Sequence, residues 1–419
     1  MSTHKKLTIG LFGFGVVGEG IFQVLQETPS LNATIKKVCI KHAEKKRNAD
    51  PGLFTTDYND ILNDPEINLV VELIDDANEA YKIVTTAFRQ KKSVVSANKK
   101  LIAEHLAELI FLQQEHEVSF LYEAAVCGSI PIIRNLEEYY DNDLLQSVSG
   151  IVNGSTNYIL TKISEGLSYK DALLQAQQLG FAESNPALDV EGIDAANKLT
   201  ILLAHAYGII TKPQDLISAG ITRLHAADAN YASEKNYRVK LTAQACKLAG
   251  GKVAGFVLPQ FVTEDSQLYN VKNEFNGVII ESKLTDKQFL YGKGAGRYPT
   301  SSAVLSDVSA FSYDYKYEYK KLNRREKYAL TNNYFLKVYV SFNDWSELNK
   351  WDFEHVIEFH STEDRQYITG IIHVEKLRNT AWFHDASVSI ILLPDGIVEK
   401  ESIVAKSLKK VSLQLAGVN

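Results

Sequence analysis

The sequence predicts an α/β protein, and three observations carry that reading. The apolar run Leu7–Phe12 empties into Gly13-Phe14-Gly15-Val16-Val17-Gly18 and then into a helical stretch, which is the opening of a βαβ unit. Apolar strand-like segments alternate with helical ones as far as about residue 130, the order of a parallel, doubly wound sheet. Beyond that point the texture shifts to period-two stretches around a carboxylate-rich turn, and from Asn333 onward to a small set of strands and helices. The expected architecture is a Rossmann-type dinucleotide-binding domain over residues 1–135, an α+β substrate domain over 136–325 and a small α+β carboxyl-terminal module over 330–419.

Leu7–Phe12 reads as a strand and not as a leader. Lys5-Lys6 before it imitates a signal peptide, but glycines interrupt the apolar run, Glu19 follows, and no small-residue cleavage site is apparent. A helix over Glu19–Glu27 and a second strand over Ile35–Ile40 come next. Asn68–Ile74 and Ser93–Ser96 are buried strands separated by a helix over Asn78–Gln90, and Ser119–Tyr122 follows a helix over Ala103–Gln114. In the second region Leu145–Val152 is strand-like, a helix starts at Thr156, and the helix Tyr169–Leu179 stops at Gly180. Asn185-Pro186 is a turn, and Gly192-Ile193-Asp194 opens a helix through Tyr207. Period-two stretches recur at Lys252–Val262, Gly277–Ser282 and Gln288–Tyr291, and Thr300 to Tyr313 reads as a helix. In the last module Tyr334–Phe342, Tyr367–Val374 and Ser387–Leu393 are strands, with Glu375–Asp385 and Glu399–Lys410 helical.

The bulk properties exclude several function classes. With 419 residues, 45% of them hydrophobic and 23% charged, the chain has core enough for two or three soluble domains. Lys and Arg number 45 against 51 Asp and Glu, a net charge of -6 with no basic stripe, which argues against a nucleic-acid partner. The apolar stretch Leu199–Ile210 contains His205 and is too short to span a bilayer, so no membrane partner is expected. Cys39, Cys127 and Cys246 are odd in number and widely spaced, which suggests neither a disulfide framework nor a zinc site and fits a reducing cytoplasm.

Gly13 to Gly18 matches G-x-G-x-x-G between strand and helix, where glycines permit the turn, the approach of a pyrophosphate and tight helix packing. The alternative is a merely structural turn. NAD-selecting folds usually place an acid after the second strand, whereas this chain has Lys41, Lys45, Lys46 and Arg47. Cations there suit the 2′-phosphate of NADP, with NAD as the second choice, unless they are only a solvated loop. Ser96-Ala97-Asn98-Lys99 stands at a strand's carboxyl end, where open α/β sheets bind ligands, and Lys100 beside it is expected to face solvent. The segment Leu179–Lys198 gathers Glu183, Asp189, Glu191, Asp194 and Lys198, with Asp194 and Lys198 one helical turn apart. Taken singly these residues are also explained by an ordinary helix ion pair and by helix caps.

The pattern Ala176-x-x-x-Gly180-Phe181-Ala182-x-x-Asn185-Pro186-x-x-Asp189-Val190-x-Gly192-x-Asp194-x-x-x-Lys198 resembles the signature of homoserine dehydrogenases. Tyr122-Glu123-Ala124-Ala125-Val126-Cys127-Gly128-Ser129-Ile130-Pro131 and Tyr291-Gly292-Lys293-Gly294-Ala295-Gly296-Arg297-Tyr298-Pro299-Thr300-Ser301-Ser302-Ala303-Val304 resemble the same family in the same order. With the glycine loop, the resemblance covers roughly residues 7 to 310. It implies reduction of L-aspartate 4-semialdehyde to L-homoserine with a nicotinamide cofactor, in threonine, methionine and isoleucine biosynthesis.

By that resemblance Lys198 is the acid/base, held by Asp194, which also contacts substrate; Lys99 approaches cofactor and substrate oxygen; and Glu183 and Asp189 bind the substrate's polar ends. Gly13, Phe14, Gly15, Val16, Val17, Gly18, Lys41, Ser96, Lys99, Gly180 and Gly294 are the implied cofactor residues. Glu123 with the backbone at Val126, Gly128 and Ile130 matches a monovalent cation site for Na+ or K+, the alternative being a buried carboxylate bonded to loop amides. The chain after the third motif is implied to return to the nucleotide domain and to help form a dimer interface, in a homodimer or homotetramer. Two departures stand out: Asp75-Asp76 where relatives carry Gly-Gly, and Lys293 where proline is common. The carboxyl-terminal module is expected to be ACT-like in topology. Because Asn343-Asp344-Trp345-Ser346 lacks the Asp-x-Pro-Gly turn of threonine-responsive modules, it is expected to serve packing or assembly. The competing readings are another NAD(P)-dependent amino-acid dehydrogenase and a non-catalytic nucleotide-sensing regulator; retention of Lys99, Asp194 and Lys198 argues against the second.

Overall fold

The computed structural model describes residues 5–142, 144–362 and 366–398, so the helix expected over Glu399–Lys410 lies outside the described residues. The chain divides into two compact units, one built from residues 1–144, 200–213 and 290–327, the other from residues 145–199, 214–289 and 328–419.

In the first unit β1 (Leu7–Phe12), β2 (Ala33–Cys39), β3 (Phe54–Thr55), β4 (Leu69–Glu72), β5 (Ser93–Ser96) and β6 (Phe120–Leu121) form one parallel sheet in the order β3-β2-β1-β4-β5-β6. This is the doubly wound sheet the alternation of strands and helices predicts. Every residue of β4 is buried, which is why Leu69-Val70-Val71 reads as a continuous apolar run and not as an alternation. The strand order reverses between β1 and β4, and in open sheets the crevice at such a reversal is where dinucleotides bind.

The helix expected from Glu19 begins earlier, spanning Val16–Glu27 with Gly15 as its N-cap. Gly18 is therefore inside the helix, where a Cβ would stand 2.2 Å from the Gly13 carbonyl oxygen. Gly20 is required two residues further on. A Cβ there would lie 2.4 Å from Ser301 Oγ and 2.8 Å from Arg297 Cγ, both on the helix Arg297–Phe311. That helix is the one expected over Thr300–Tyr313, and it belongs to the first unit. Arg297 pairs with Glu19 at 2.6 Å and Ser301 Oγ donates to the Val17 carbonyl at 3.2 Å, so the third motif is fastened to the glycine-loop helix.

The second unit is organised by a mixed sheet. Its strands are β7 (Leu145–Ile151), β8 (Ile217–Ser218), β9 (Arg238–Leu248), β10 (Lys252–Val262), β11 (Phe275–Ser282), β12 (Asp286–Lys293), β13 (Ala329–Leu330), β14 (Phe335–Phe342), β15 (His355–Ser361), β16 (Gln366–His373) and β17 (Ser389–Val398). The main order is β12-β11-β7-β9-β10-β17-β14-β16-β15, with β8 and β13 also pairing with β10. The last four strands are antiparallel neighbours in the order β17-β14-β16-β15, the split order of a βαββαβ module. Its first helix is replaced by 3-10 turns at Trp345–Glu347 and Lys350–Asp352, in the segment that lacks the proline and glycine. The helix expected over Glu375–Asp385 is confined to Val374–Asn379, because Thr380 turns to extended backbone and its Oγ1 donates to the Leu377 carbonyl at 2.8 Å. Phe256 and Leu258 of β10 share one buried cluster with Leu336, Val338, Ile368 and Ile390, so these strands and β10 have a common core.

β9 was not anticipated, although Arg238–Ala245 alternates polar and apolar residues as a strand does. On its polar phase Lys240 is 2% exposed, with its Nζ donating to Asn157 Oδ1 at 3.0 Å and to the Val271 carbonyl at 2.5 Å. Burial pushes its ammonium down to about 7. β15 was missed because it is an edge strand with most residues exposed, and nothing forces its sequence to alternate. No described helix is long and apolar enough to cross a membrane, and none of the three cysteines is in a disulfide.

Gly20 supplies a test of this packing. Gly20→Val is expected to lower the unfolding free energy by about 1–3 kcal/mol through overpacking against Arg297 and Ser301. Denaturant titration measures it, and an unchanged midpoint would mean that the two helices are not in this close contact.

Candidate active site

The glycine loop is built by backbone necessity. Gly13 donates its N–H to the Cys39 carbonyl at 3.0 Å and holds φ at 92°, and a Cβ there would meet the Leu73 carbonyl oxygen at 2.7 Å. Gly15 is different, since a Cβ on it would meet nothing within 4 Å. The space in front of the Val16–Glu27 helix is therefore open at its amino end, where unpaired N–H groups and the helix dipole favour a pyrophosphate. Val16 is exposed there, while the Val17 carbonyl is used by Ser301. Phe14 sets its edge against Phe22 and Phe54, and the Arg47 guanidinium lies 5.4 Å from the Phe54 ring centre. Phe14, Glu19, Lys46, Arg47 and Asn48 line a surface hollow, and Lys45, Lys46 and Arg47 line a neighbouring one with Phe54 and Thr55.

Lys41 is exposed just past β2. Of the two added carboxylates, Asp76 is committed elsewhere: it caps the helix Ala77–Arg89 by accepting the N–H groups of Asn78 at 2.9 Å and Glu79 at 3.1 Å. Those amide bonds, with Lys41 and Lys82 nearby, hold its carboxyl below the ordinary range. Asp75 is exposed at the turn beside it.

At the ends of β4 and β5 a charge is buried. Glu72 is fully enclosed, with one carboxylate oxygen accepting the Ser96 hydroxyl at 2.6 Å and the other the Ile74 N–H at 2.8 Å. Burial pushes its carboxyl up to about 7 against the pull of those two bonds. Ser96 Oγ in turn accepts the Asn98 N–H at 3.1 Å, and Asn98 Oδ1 caps the helix Lys99–His116 through the Leu101 N–H at 2.9 Å. Lys99 is half-buried as the first residue of that helix, whereas Lys100 is exposed beside Glu104.

In the second unit the helix Tyr169–Gln178 ends as the sequence foretells. Gly180 holds φ at 75° and donates to the Gln177 carbonyl at 3.0 Å, while Phe181 donates to the Ala176 carbonyl at 2.8 Å, the paired bonds of a Schellman stop. A Cβ on Gly180 would meet open space. A short helix, Ala187–Val190, follows Asn185-Pro186, and Gly192 with φ 81° leads into the helix Ile193–Tyr207.

Two of the predicted residues, Asp189 and Asp194, converge on one unpredicted one, Asn153, and Lys198 joins them through Asp194. The Asn153 side-chain N–H groups donate to Asp189 Oδ1 at 2.7 Å and to Asp194 Oδ2 at 2.8 Å, while its Oδ1 accepts the Thr156 N–H at 2.9 Å and so caps the helix Gly154–Ser164. Lys198 Nζ lies 2.7 Å from Asp194 Oδ2 and 2.7 Å from the Val152 carbonyl. Lys198 is 8% and Asp194 2% exposed, so the pair is not the solvated ion pair that spacing alone allows. Glu183 is not drawn into this cluster: it stands exposed on the turn, with its backbone carbonyl accepting from Gln177.

The second motif folds around Glu123, which is buried and accepts the N–H groups of Ile133 at 2.7 Å and Arg134 at 2.9 Å, one on each carboxylate oxygen. This is the buried carboxylate bonded to amides, and each oxygen keeps a further lone pair. Burial raises the Glu123 carboxyl, and Asp307, which accepts the Glu123 N–H at 2.8 Å and pairs with Arg134 at 3.0 Å, is pushed up to about 8 by burial and by the Glu123 charge. Val126 leads into Cys127 and Gly128, which both hold positive φ, and Ile130 closes the loop by donating to the Cys127 carbonyl at 3.0 Å. A Cβ on Gly128 would lie 2.6 Å from the Gly294 carbonyl oxygen, and Ser129 donates both its N–H and its hydroxyl to the Lys293 carbonyl, each at 3.1 Å. Gly294 and Lys293 thus pack their backbone on this loop.

A pyrophosphate cradle at the start of a doubly wound sheet, and in the second unit a buried ammonium clamped by a carboxylate, define a dinucleotide-dependent oxidoreductase. Comparison with known proteins makes the class specific. The homoserine dehydrogenase family model matches residues 131–309, and that of the homoserine dehydrogenase NAD binding domain matches residues 13–123. Homoserine dehydrogenase of Bacillus subtilis is 37% identical over 316 residues, 73% of each chain, and that of Synechocystis is 39% identical over 311 residues, 72% of each chain. Among solved structures, a homoserine dehydrogenase from Thiobacillus denitrificans aligns with a TM-score of 0.81 at 29% identity, over 93% of this chain and 98% of that one. A hyperthermophilic archaeal homoserine dehydrogenase mutant in complex with NADPH aligns with a TM-score of 0.64 at 25% identity, over 75% and 100%.

The chain belongs to the homoserine dehydrogenase family. It is an oxidoreductase that uses a nicotinamide dinucleotide to interconvert L-aspartate 4-semialdehyde and L-homoserine in amino-acid biosynthesis.

Sequence reasoning passed over Asn153 and Glu72. Asn153-Gly154-Ser155-Thr156 carried the signal of a helix cap directly before the helix expected at Thr156, and Glu72 was a lone charge inside an apolar strand. Asn153→Ala leaves two adjacent carboxylates without their shared donors. It is expected to lower kcat/KM for the semialdehyde on the order of tenfold or more, with the KM for NADPH changed less than about twofold. Steady-state kinetics at saturating cofactor measures it, and wild-type kcat/KM would show that the bridge is dispensable.

Proposed function

We propose that Lys198 is the proton donor in semialdehyde reduction, with Asp194 holding it and touching substrate, and with Asp189 and Glu183 receiving the substrate's α-ammonium end. The observation that carries this reading is the clamp on Lys198: two of its three N–H groups are taken by Asp194 and by the Val152 carbonyl, and one is left for a substrate oxygen. When bound, the reduced nicotinamide supplies a hydride to the aldehyde carbon. Lys198 meets the charge that grows on the oxygen, gives up a proton to form the hydroxyl, and is reprotonated from solvent. In the reverse direction the neutral amine takes the hydroxyl proton. The Asp194 carboxylate keeps the amine in place through both states.

The residues of the first unit fit the cofactor. Gly13, Phe14, Gly15, Val16, Val17 and Gly18 form its pyrophosphate cradle, with open space at Gly15 as support; Ser96, Lys99 and Gly294 complete the contacts from this unit. NADP is preferred over NAD, supported by Lys46 and Arg47 in the hollow beside Phe14 and by Lys41 just past β2, where an NAD-selecting acid would stand. Na+ or K+ is held by Glu123 with the carbonyls of Val126, Gly128 and Ile130. The free lone pairs of Glu123 and the positive φ at Cys127 and Gly128 support that assignment. The enzyme works in the cytoplasm as a homodimer or homotetramer, and the carboxyl-terminal strands serve packing or assembly.

Lys198→Ala is expected to cut kcat by roughly a hundredfold or more while NADPH still binds, as fluorescence titration would show. Near wild-type turnover in this variant would remove Lys198 from proton transfer. Lys41→Ala is expected to raise the KM for NADPH on the order of tenfold and to leave the KM for NADH within about twofold. Equal effects on the two cofactors would make Lys41 a solvated loop residue.

A further inference from the structure

We infer that Glu72 is a positioning residue for cofactor binding, acting through Ser96 to fix the loop Ser96-Ala97-Asn98-Lys99. The inference rests on the reading above that this loop contacts the cofactor.

The geometry is a chain of bonds across the sheet's reversal point. Glu72 closes β4, the strand beside β1 where the order turns, and Ser96 closes β5 next to it. One Glu72 oxygen fixes the Ser96 hydroxyl, the hydroxyl oxygen fixes the Asn98 N–H, and Asn98 caps the helix that begins with Lys99. The loop is also tied back by the Ala97 N–H on the Glu72 carbonyl at 3.3 Å and by Asn98 Nδ2 on the Ile74 carbonyl at 3.1 Å. The other Glu72 oxygen holds the Ile74 N–H, and the neighbouring Leu73 carbonyl is the atom that forces position 13 to be glycine. One carboxylate therefore sets both walls of the crevice, the glycine loop on one side and the Lys99 loop on the other.

A buried charge needs a reason to be kept. Among the described residues Glu72 makes no ion pair, and its bonds come from one hydroxyl and one amide. An apolar residue would fill the strand at lower desolvation cost, but it would leave the Ser96 hydroxyl and the Ile74 N–H without acceptors. A carboxylate satisfies both donors at once and is the only common side chain that accepts on two atoms in one plane while donating nothing. Glutamine keeps the shape but turns one of those atoms into a donor. Its single oxygen can serve Ile74 or Ser96, not both, and the Ser96 hydroxyl loses its fixed direction.

The test uses the full-length enzyme. Glu72→Gln should raise the KM for NADPH on the order of tenfold, with the KM for semialdehyde at saturating cofactor within about twofold. Ser96→Ala should do the same, and the double variant should be no worse than the worse single one, because both act through one link. An unchanged KM for NADPH in Glu72→Gln, or effects of the two substitutions that multiply, would overturn the inference, as would a fall in melting temperature with both KM values unaltered. Should Glu72→Gln fail to fold, Glu72→Asp decides: the shorter carboxylate cannot reach both the Ser96 hydroxyl and the Ile74 N–H, so a selective rise in the KM for NADPH supports the link, and none overturns it. Lys99→Ala separates the premise from the inference. If it leaves NADPH binding unchanged, the loop does not contact the cofactor and both fall; if it weakens NADPH while Glu72→Gln does not, only the role of Glu72 falls.

Discussion

The cluster of Asp189, Asp194 and Lys198 depends on one side-chain amide. Asp189 and Asp194 approach each other because Asn153 gives each of them an N–H, and Lys198 takes its place because Asp194 is already fixed. Two nearby carboxylates without such donors would raise each other's affinity for protons, and the site would relax to a neutral form. The same asparagine caps the helix Gly154–Ser164, so the order of the site is coupled to the order of a helix terminus. A buried pair such as Asp194 and Lys198 contributes little net stability, although removing one partner is costly. Its value here is placement. The Val152 carbonyl at the end of β7 and the Asp194 carboxylate together leave the ammonium one direction in which to donate.

The cofactor half shows the same economy in backbone. Glycines at 13, 18 and 20 are each set by a neighbour that a methyl group would strike, whereas Gly15 faces open space, which is what a bound phosphate group needs. Position 20 explains why the third motif, far away in sequence, belongs to this unit: Arg297 and Ser301 lie against it. The Asp75-Asp76 substitution, which from sequence threatened phosphate binding, is absorbed at Asp76 by a helix cap.

What could be read from the sequence, and what could not, follows from which residues obey periodicity. Five of the six strands of the parallel sheet, the glycine loop, the stop at Gly180 and the helix carrying Asp194 and Lys198 were legible, because each rests on local signals: apolar runs, glycine, helical spacing; the two-residue β3 is too short to carry one. β9 carries the alternation of a strand in Arg238–Ala245 and was passed over; what that pattern does not announce is that Lys240 turns inward, satisfied by two oxygens. β15 was hidden because an exposed edge strand has no buried face to mark. Asn153 and Glu72 were hidden because their partners lie 24 to 41 residues away, and a hydrogen bond across that separation leaves no trace in local spacing. Glu183 was grouped with the others by sequence proximity, yet it stands exposed on its turn.

The claim at the centre of this account is that Lys198, clamped by Asp194 and Val152, addresses the substrate oxygen. A crystal structure of the enzyme with L-homoserine and NADP+ measures it most directly. The account predicts the homoserine hydroxyl at about 3 Å from Lys198 Nζ, with the α-ammonium on the side of Asp189 and Glu183 and the bonds from Lys198 to Asp194 and Val152 intact. Homoserine bound with its hydroxyl away from Lys198, or with Asp194 released from the lysine, would contradict it.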